Sequence, residues 1–181
     1  MYFQNITLKF DLKHMQIKST IHLLITGGTL DKQYQASTGE LFFPGTHLPI
    51  LLKEANSTLA IECTVLMQKD SLNMTDEDRA QICQACIDSP QKAIVITHGT
   101  DTMVDTALVL QQQADLTSKT VILTGAMRPF MLGNSDASFN LGAALMAAQL
   151  ADPGVYIVMN GQIFNADNVQ KNRQLGQFKP L

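Results

Sequence analysis

A three-layer α/β fold, built on a mostly parallel sheet flanked by helices, is predicted by three features of the sequence. Short, almost wholly apolar runs recur at Ile21-His22-Leu23-Leu24-Ile25, Ala93-Ile94-Val95-Ile96-Thr97, Thr120-Val121-Ile122-Leu123-Thr124 and Val155-Tyr156-Ile157-Val158-Met159. A half-exposed strand would alternate apolar with polar, so unbroken runs mark strands buried on both faces. Segments with helical spacing separate them, and strand alternates with helix from residue 21 to residue 159, which is the pattern of parallel strands joined by crossover helices. Finally, the runs closing at Thr26, Thr97 and Thr124 each meet a glycine within two residues, at Gly27, Gly99 and Gly125. In a parallel sheet those strand ends share one edge, which is where open α/β sheets bind ligands.

The elements follow in order. Residues 1–18 show no clear periodicity and read as an extension, with Met15 a candidate alternative start, so the domain is expected over residues 19–181. After the first strand, Asp31 to Gly45 is long, polar and glycine-bearing. A connection of this length without regular pattern suits a lid over a site, with Tyr34 its most notable residue. A short helix is expected from Thr46, with Leu48, Leu51, Leu52 and Ala55 apolar, then a strand over 59–67. Asp70 and Ser71 follow that strand, on the expected ligand edge. Thr75, followed by Asp76, Glu77 and Asp78, predicts a helix start running to about Ser89, because the hydroxyl accepts from free amides and acids suit the positive end of the helix dipole. Further helices are expected over 102–113 and 135–150, and Asp152-Pro153-Gly154 turns the chain into the last strand. The tail from Asn160 does not continue the alternation and reads as a surface arm.

Composition narrows the function. The 181 residues are 45% hydrophobic with a net charge of -3, which suits one globular domain. Lysine and arginine are scattered rather than gathered on one face, arguing against nucleic acid as a partner. No stretch reaches the length of a membrane span, and residues 1–18 lack the continuous apolar core of a signal peptide. A cytoplasmic protein with a small neutral or zwitterionic ligand is expected. Cys63, Cys83 and Cys86 are odd in number, as where thiols stay reduced. Cys83 and Cys86 fall inside a helical pattern without a second pair, so they read as packed apolar residues rather than a zinc or redox site. His22 reads as packed within its strand, His98 as shaping its turn, and Arg128 as pairing with Asp136.

The chemistry available is that of two threonines. Thr29 follows Gly27-Gly28, and Thr100 follows His98-Gly99. A threonine hydroxyl is a poor nucleophile until something takes its proton. Tyr34 is the phenol nearest Thr29 in sequence, while a desolvated lysine oriented by Asp101 would serve Thr100. Gly28 and the amides beside the glycines would hold a developing oxyanion. Acyl transfer uses all of these parts. A nucleotide-binding loop is disfavoured, since TGGTLDK opens a long polar segment rather than a helix in the GxGxxG pattern.

The segments TGGTLD, THGTDTM, LTGAMRP, the NSD at 134–136 and VMNGQIFNADNVQKN resemble the amino-terminal domain of the L-asparaginase family, over about residues 21–173. The resemblance implies a Rossmann- or flavodoxin-like domain that hydrolyses L-asparagine to L-aspartate and ammonia through an acyl-enzyme, without metal or cofactor. It implies Thr29 as nucleophile with Tyr34 assisting. Thr100, Asp101 and Lys171 are implied as a second triad that activates water. Ser71 would bind the α-carboxylate beside Asp70, Asp101 would also hold the α-amino group, and the Ala126 carbonyl would lie by the leaving amide. The chain departs from the pattern at Leu72, where many members are polar, and in its shorter lid. It also lacks the second domain of the long forms, so short single-domain asparaginases are the expected kin. A homodimer or larger assembly is expected to cover the open site. The alternative is a catalytically weak amino-acid-binding or regulatory domain.

Overall fold

The computed structural model describes residues 20–181, so the expected extension over 1–18, including Met15, lies outside the described residues. Strands β1 (Ile21–Gly27), β4 (Ile61–Lys69), β5 (Ala93–Thr97), β6 (Thr120–Thr124), β7 (Gly154–Met159) and β8 (Gln162–Asn165) form one sheet in the order β4-β1-β5-β6-β7-β8. All neighbours are parallel except β7 and β8, which pair antiparallel. The three-layer, mostly parallel α/β architecture is therefore as expected. Every residue of β1, β5 and β6 is buried, as their unbroken apolar runs require.

Helices α2 (Asp76–Asp88) and α3 (Met103–Gln111) cover one face with Ile82, Cys83, Cys86, Met103, Ala107 and Leu110. Helices α1 (Leu48–Glu54) and α4 (Ala137–Leu150) cover the other with Leu48, Leu51, Leu141, Ala144, Leu145 and Ala148. The N-terminus of α2 carries the expected cap, reinforced into a reciprocal box: the Asp78 amide donates to Thr75 Oγ1, and the Thr75 amide donates to Asp78 Oδ2. Lys119 closes the other end of α2, its Nζ donating to the carbonyls of Cys86, Ile87 and Ser89. Cys83 and Cys86 are buried free thiols, and burial pushes the Cys86 thiol up to about 12. That environment suits packing and suppresses the thiolate that redox chemistry or metal binding needs. His22 sits 2.8 Å from both the Ser89 and the Thr64 hydroxyls, joining β1 to β4 and the end of α2.

Four expectations are corrected. The lid segment is structured: β2 (Gln33–Gln35) and β3 (Glu40–Phe42) form an antiparallel hairpin. The strand expected over 59–67 starts and ends two residues later, since the sheet edge tolerates the polar Gln68 and Lys69. The tail is no surface arm. Asn160 and Gly161, at φ 55 and 75, make a tight left-handed turn that brings β8 back onto β7. Strands β9 (Gln170–Asn172) and β10 (Gln177–Lys179) then form a second hairpin. Phe164, Ala166, Val169 and Phe178 of this tail are buried in the same core as α2 and α3. A buried phenylalanine is worth ~2–3 kcal/mol, enough to hold the tail in place. Lastly, Arg128 does not pair with the Asp136 side chain. Asp136 instead accepts the backbone amides of Met127 and Arg128, while the guanidinium donates to the carbonyls of Gly133 and Leu132.

Candidate functional site

Four loops converge at the carboxyl edge of the sheet, and glycines allow it. Gly27 and Gly28 take φ values of +94 and +76, a region that favours glycine. A Cβ on Gly28 would lie 2.5 Å from the Gly99 amide nitrogen, and one on Gly99 would lie 2.6 Å from Ser71 Oγ. One on Gly125 would lie 2.3 Å from the His98 carbonyl oxygen. The turns after β1, β4, β5 and β6 are thus packed backbone to backbone, with no room for a methyl group. Thr29 follows Gly28 directly and Thr100 follows Gly99 directly, so the two threonines emerge from abutting turns.

Thr29 opens a single 3-10 turn over Thr29–Asp31 and is half-buried. Thr100 is buried, and Lys171 Nζ donates to its Oγ1 at 2.8 Å and to Asp101 Oδ1 at 2.9 Å. The lysine comes from β9, so the tail hairpin delivers the amine to the parallel sheet's edge. Arg173 Nε lies 3.7 Å from the same Asp101 oxygen. Ser71 is buried at the start of the next 3-10 turn, Ser71–Asn73. Its Oγ accepts from the Thr102 amide at 3.4 Å, and its carbonyl accepts from the Thr102 hydroxyl at 2.8 Å. That leaves the Ser71 hydroxyl proton to donate elsewhere.

His98 underlies this corner. Its ring is fully buried, with Nδ1 2.7 Å from the Gly99 carbonyl and Nε2 2.9 Å from Thr106 Oγ1. A carbonyl only accepts, so Nδ1 carries the proton and Nε2 accepts from the Thr106 hydroxyl. Burial pulls the ring down to about 4, which keeps it neutral. It shapes the turn bearing Thr100, as its sequence position suggested. Ala126 is buried, and its neighbours are fixed by α4: Asn140 Nδ2 donates to the Gly125 carbonyl and to Asp136 Oδ2.

Asp70 is engaged on both oxygens. Oδ2 accepts from Lys32 Nζ at 2.5 Å, and Oδ1 accepts from the Leu72 amide at 3.0 Å. The Lys32 ammonium, chiefly, holds the Asp70 carboxyl below its ordinary range, and Lys171 adds to the effect through space. Tyr34 stands on the β2–β3 hairpin with about half of its surface exposed, at 51%. Among the described residues no hydrogen bond joins it to Thr29. The described residues contain no cluster of three His, Cys, Asp or Glu side chains able to hold a metal ion, and no helix long and apolar enough to cross a membrane.

Residues 20–177 match the family model described as Asparaginase, N-terminal. The chain belongs to the asparaginase family. It is 31% identical over 166 residues to the glutaminase-asparaginase of Acinetobacter glutaminasificans, covering 85% of this chain and 50% of that protein. It is 34% identical over 148 residues to a glutamyl-tRNA(Gln) amidotransferase component of Methanococcus vannielii, covering 79% of this chain and 34% of that protein. The thermostable L-asparaginase of Thermococcus kodakarensis superposes with a TM-score of 0.78 at 30% identity, covering 90% of this chain and 51% of that one. This asparaginase-family chain therefore spans about a third to a half of the length of these relatives. Sequence reasoning passed over Lys32 and Arg173, although both are ionisable residues within three positions of motif residues, at Thr29 and Lys171.

Proposed function

We propose that this asparaginase-family domain is an amidohydrolase that converts L-asparagine to L-aspartate and ammonia. The observation that carries the reading is the Thr100–Lys171–Asp101 cluster, set beside the turn of Thr29 by the contact between Gly28 and Gly99. In the proposed reaction, Thr29 Oγ attacks the side-chain amide carbon and its proton passes to a neighbouring group, with Tyr34 assisting. The tetrahedral oxyanion is held by backbone amides beside Gly28, and as the proton taken from Thr29 is handed to the leaving nitrogen it collapses with release of ammonia, leaving an ester on Thr29. Water held at Thr100 then attacks the ester carbonyl. Acting as the neutral amine, Lys171 Nζ, 2.8 Å from the Thr100 hydroxyl, takes the water's proton by way of that hydroxyl, and a proton is passed on to the Thr29 oxygen as aspartate leaves.

Charge at the corner supports an amino-acid substrate. Lys171 and Arg173 stand against Asp101, so acidic and basic groups are both at hand for a zwitterion. On this reading the Ser71 hydroxyl donates to the α-carboxylate and Asp101 receives the α-amino group. The Ala126 carbonyl would lie by the leaving nitrogen. No metal or cofactor enters the scheme.

Ammonia release from L-asparagine and, separately, L-glutamine tests the reading and its substrate preference. Wild type active on asparagine, with Thr29→Ala and Thr100→Ala both silent, is the expected result. Undiminished release by both variants would overturn the assigned roles. Binding of aspartate by calorimetry without any turnover would instead favour an amino-acid-binding domain. We also propose a homodimer or larger homo-oligomer that shields the site in the cytoplasm; sedimentation showing fully active monomer would refute that assembly.

A further inference from the structure

Two consecutive residues tie the base of the hairpin bearing Tyr34 to the body, and β2 also runs beside the Phe130–Leu132 turn. Asp31 is buried, and its Oδ1 accepts from the Thr46 hydroxyl at 3.1 Å and from the His47 amide at 2.8 Å. It thereby pins together the two ends of the segment between them. Lys32 reaches away from the hairpin to Asp70, and its Nζ lies 5.7 Å from the centre of the Phe43 ring. Between these anchors, every residue from Tyr34 to Phe42 is exposed. The hairpin is thus a flap held at its base.

Strand geometry adds a direction. Side chains two apart on a strand share a face, and so do directly opposed residues on an antiparallel partner. Tyr34 opposes Leu41 and Gln33 opposes Phe42; Lys32, extended at the next position outward, has its Nζ over the ring of Phe43, the residue that follows Phe42. Lys32, Tyr34, Leu41 and Phe43 therefore lie on one face. Because Lys32 spends its charge on Asp70 from that face, Tyr34 is turned toward the same side, about 7 Å along the strand. Asp70, in turn, orients the turn of Ser71 through the Leu72 amide. The single ion pair links the proposed assisting phenol to the proposed carboxylate-binding turn.

We propose that Lys32 and Asp70 form a latch that fixes the Tyr34 flap against the Ser71 turn, making both of them positioning residues. With both of its oxygens engaged, Asp70 serves the latch rather than the substrate. The catalytic part of this proposal rests on the amidohydrolase reading; the latch itself does not.

The test compares wild type with Lys32→Met, Asp70→Asn, the double variant and Lys32→Arg. Hydrogen exchange by mass spectrometry reads the peptide spanning 33–43, and steady-state kinetics read asparagine hydrolysis. Flap amides should exchange at least about tenfold faster in Lys32→Met and Asp70→Asn. The melting temperature should change by only a few degrees, roughly, because a partly exposed pair contributes little to global stability. The kcat should fall about ten- to hundredfold, as for a misplaced group, with a smaller change in KM. Lys32→Arg should restore both readouts, and the double variant should be no worse than the poorer single one. Unchanged flap exchange in Lys32→Met overturns the latch, whatever the activity. Faster exchange with wild-type kcat overturns the positioning role. An inactive wild type whose flap loosens in Lys32→Met refutes the amidohydrolase reading and leaves the latch standing.

Discussion

Lowering the pH from about 7.5 to about 5 protonates His98 in the unfolded chain and leaves it neutral in the folded one. The ring has no exposed surface, and its nitrogens are committed to the Gly99 carbonyl and the Thr106 hydroxyl. Burial takes it from an ordinary value of 6.5 to about 4. Between those values the unfolded state binds more protons, so stability rises with pH and is lost as pH falls. The loss starts near the unfolded value and is complete near the folded one. Two and a half units at about 1.36 kcal/mol each give a full penalty of ~3 kcal/mol, of which about 2 kcal/mol is already spent at pH ~5. Urea denaturation of wild type and His98→Gln at both pH values measures it. His22, also lowered by burial, contributes equally to both proteins and cancels. Asp70 and Asp78, held below their ordinary range by Lys32 and Lys69, stay charged across this window. The variant should lose about 2 kcal/mol less than wild type between the two conditions. Parallel pH dependences would refute the claim that His98 folds as a neutral, enclosed ring.

Lys171→Met should leave the fold intact and reduce amide hydrolysis by about two to four orders of magnitude, as for loss of a proton acceptor; a chromogenic or ammonia assay reads it. Gly28→Ala should destabilise the domain by roughly 2–3 kcal/mol in denaturant, because the methyl meets the Gly99 backbone and the positive φ strains alanine. Lys119→Met strips three carbonyls at the end of α2 of their donor. It should cost about 1.5–3 kcal/mol in thermal or urea unfolding while sparing kcat.

The central strands were legible because burial on both faces leaves an unbroken apolar signature, as in Leu23-Leu24-Ile25 and Val121-Ile122-Leu123. The cap at Thr75 was legible because its chemistry is local. Elements whose stability comes from distant packing were not. Strands β9 and β10 are three residues each and largely polar; what docks them is Phe178 reaching a core assembled from α2 and α3. The Asn160-Gly161 pair has the residue types of a two-residue hairpin turn, between Met159 and Gln162 in register, yet the polar tail beyond it made the whole segment read as a surface arm. The flap gave no period at all, since most of both its faces is exposed to water. At the site, the motif resemblance pointed to Thr100, Asp101 and Lys171, and the structure brings these three together. Asp136 gripping amides rather than Arg128, and Lys32 reaching Asp70, depend on backbone direction that composition does not encode.

The tail's docking sets an order of assembly. Lys171 is made after every strand of the parallel sheet, and Phe178, which seats its hairpin, follows seven residues later. The strands β1, β4, β5, β6 and β7 therefore precede in the chain the amine that donates to Thr100, so the Thr100–Lys171–Asp101 cluster is completed only when this apolar plug closes. A premature stop between Met159 and Phe178 would cost the cluster its amine or the hairpin its seat while leaving every residue of the threonine turns in the chain.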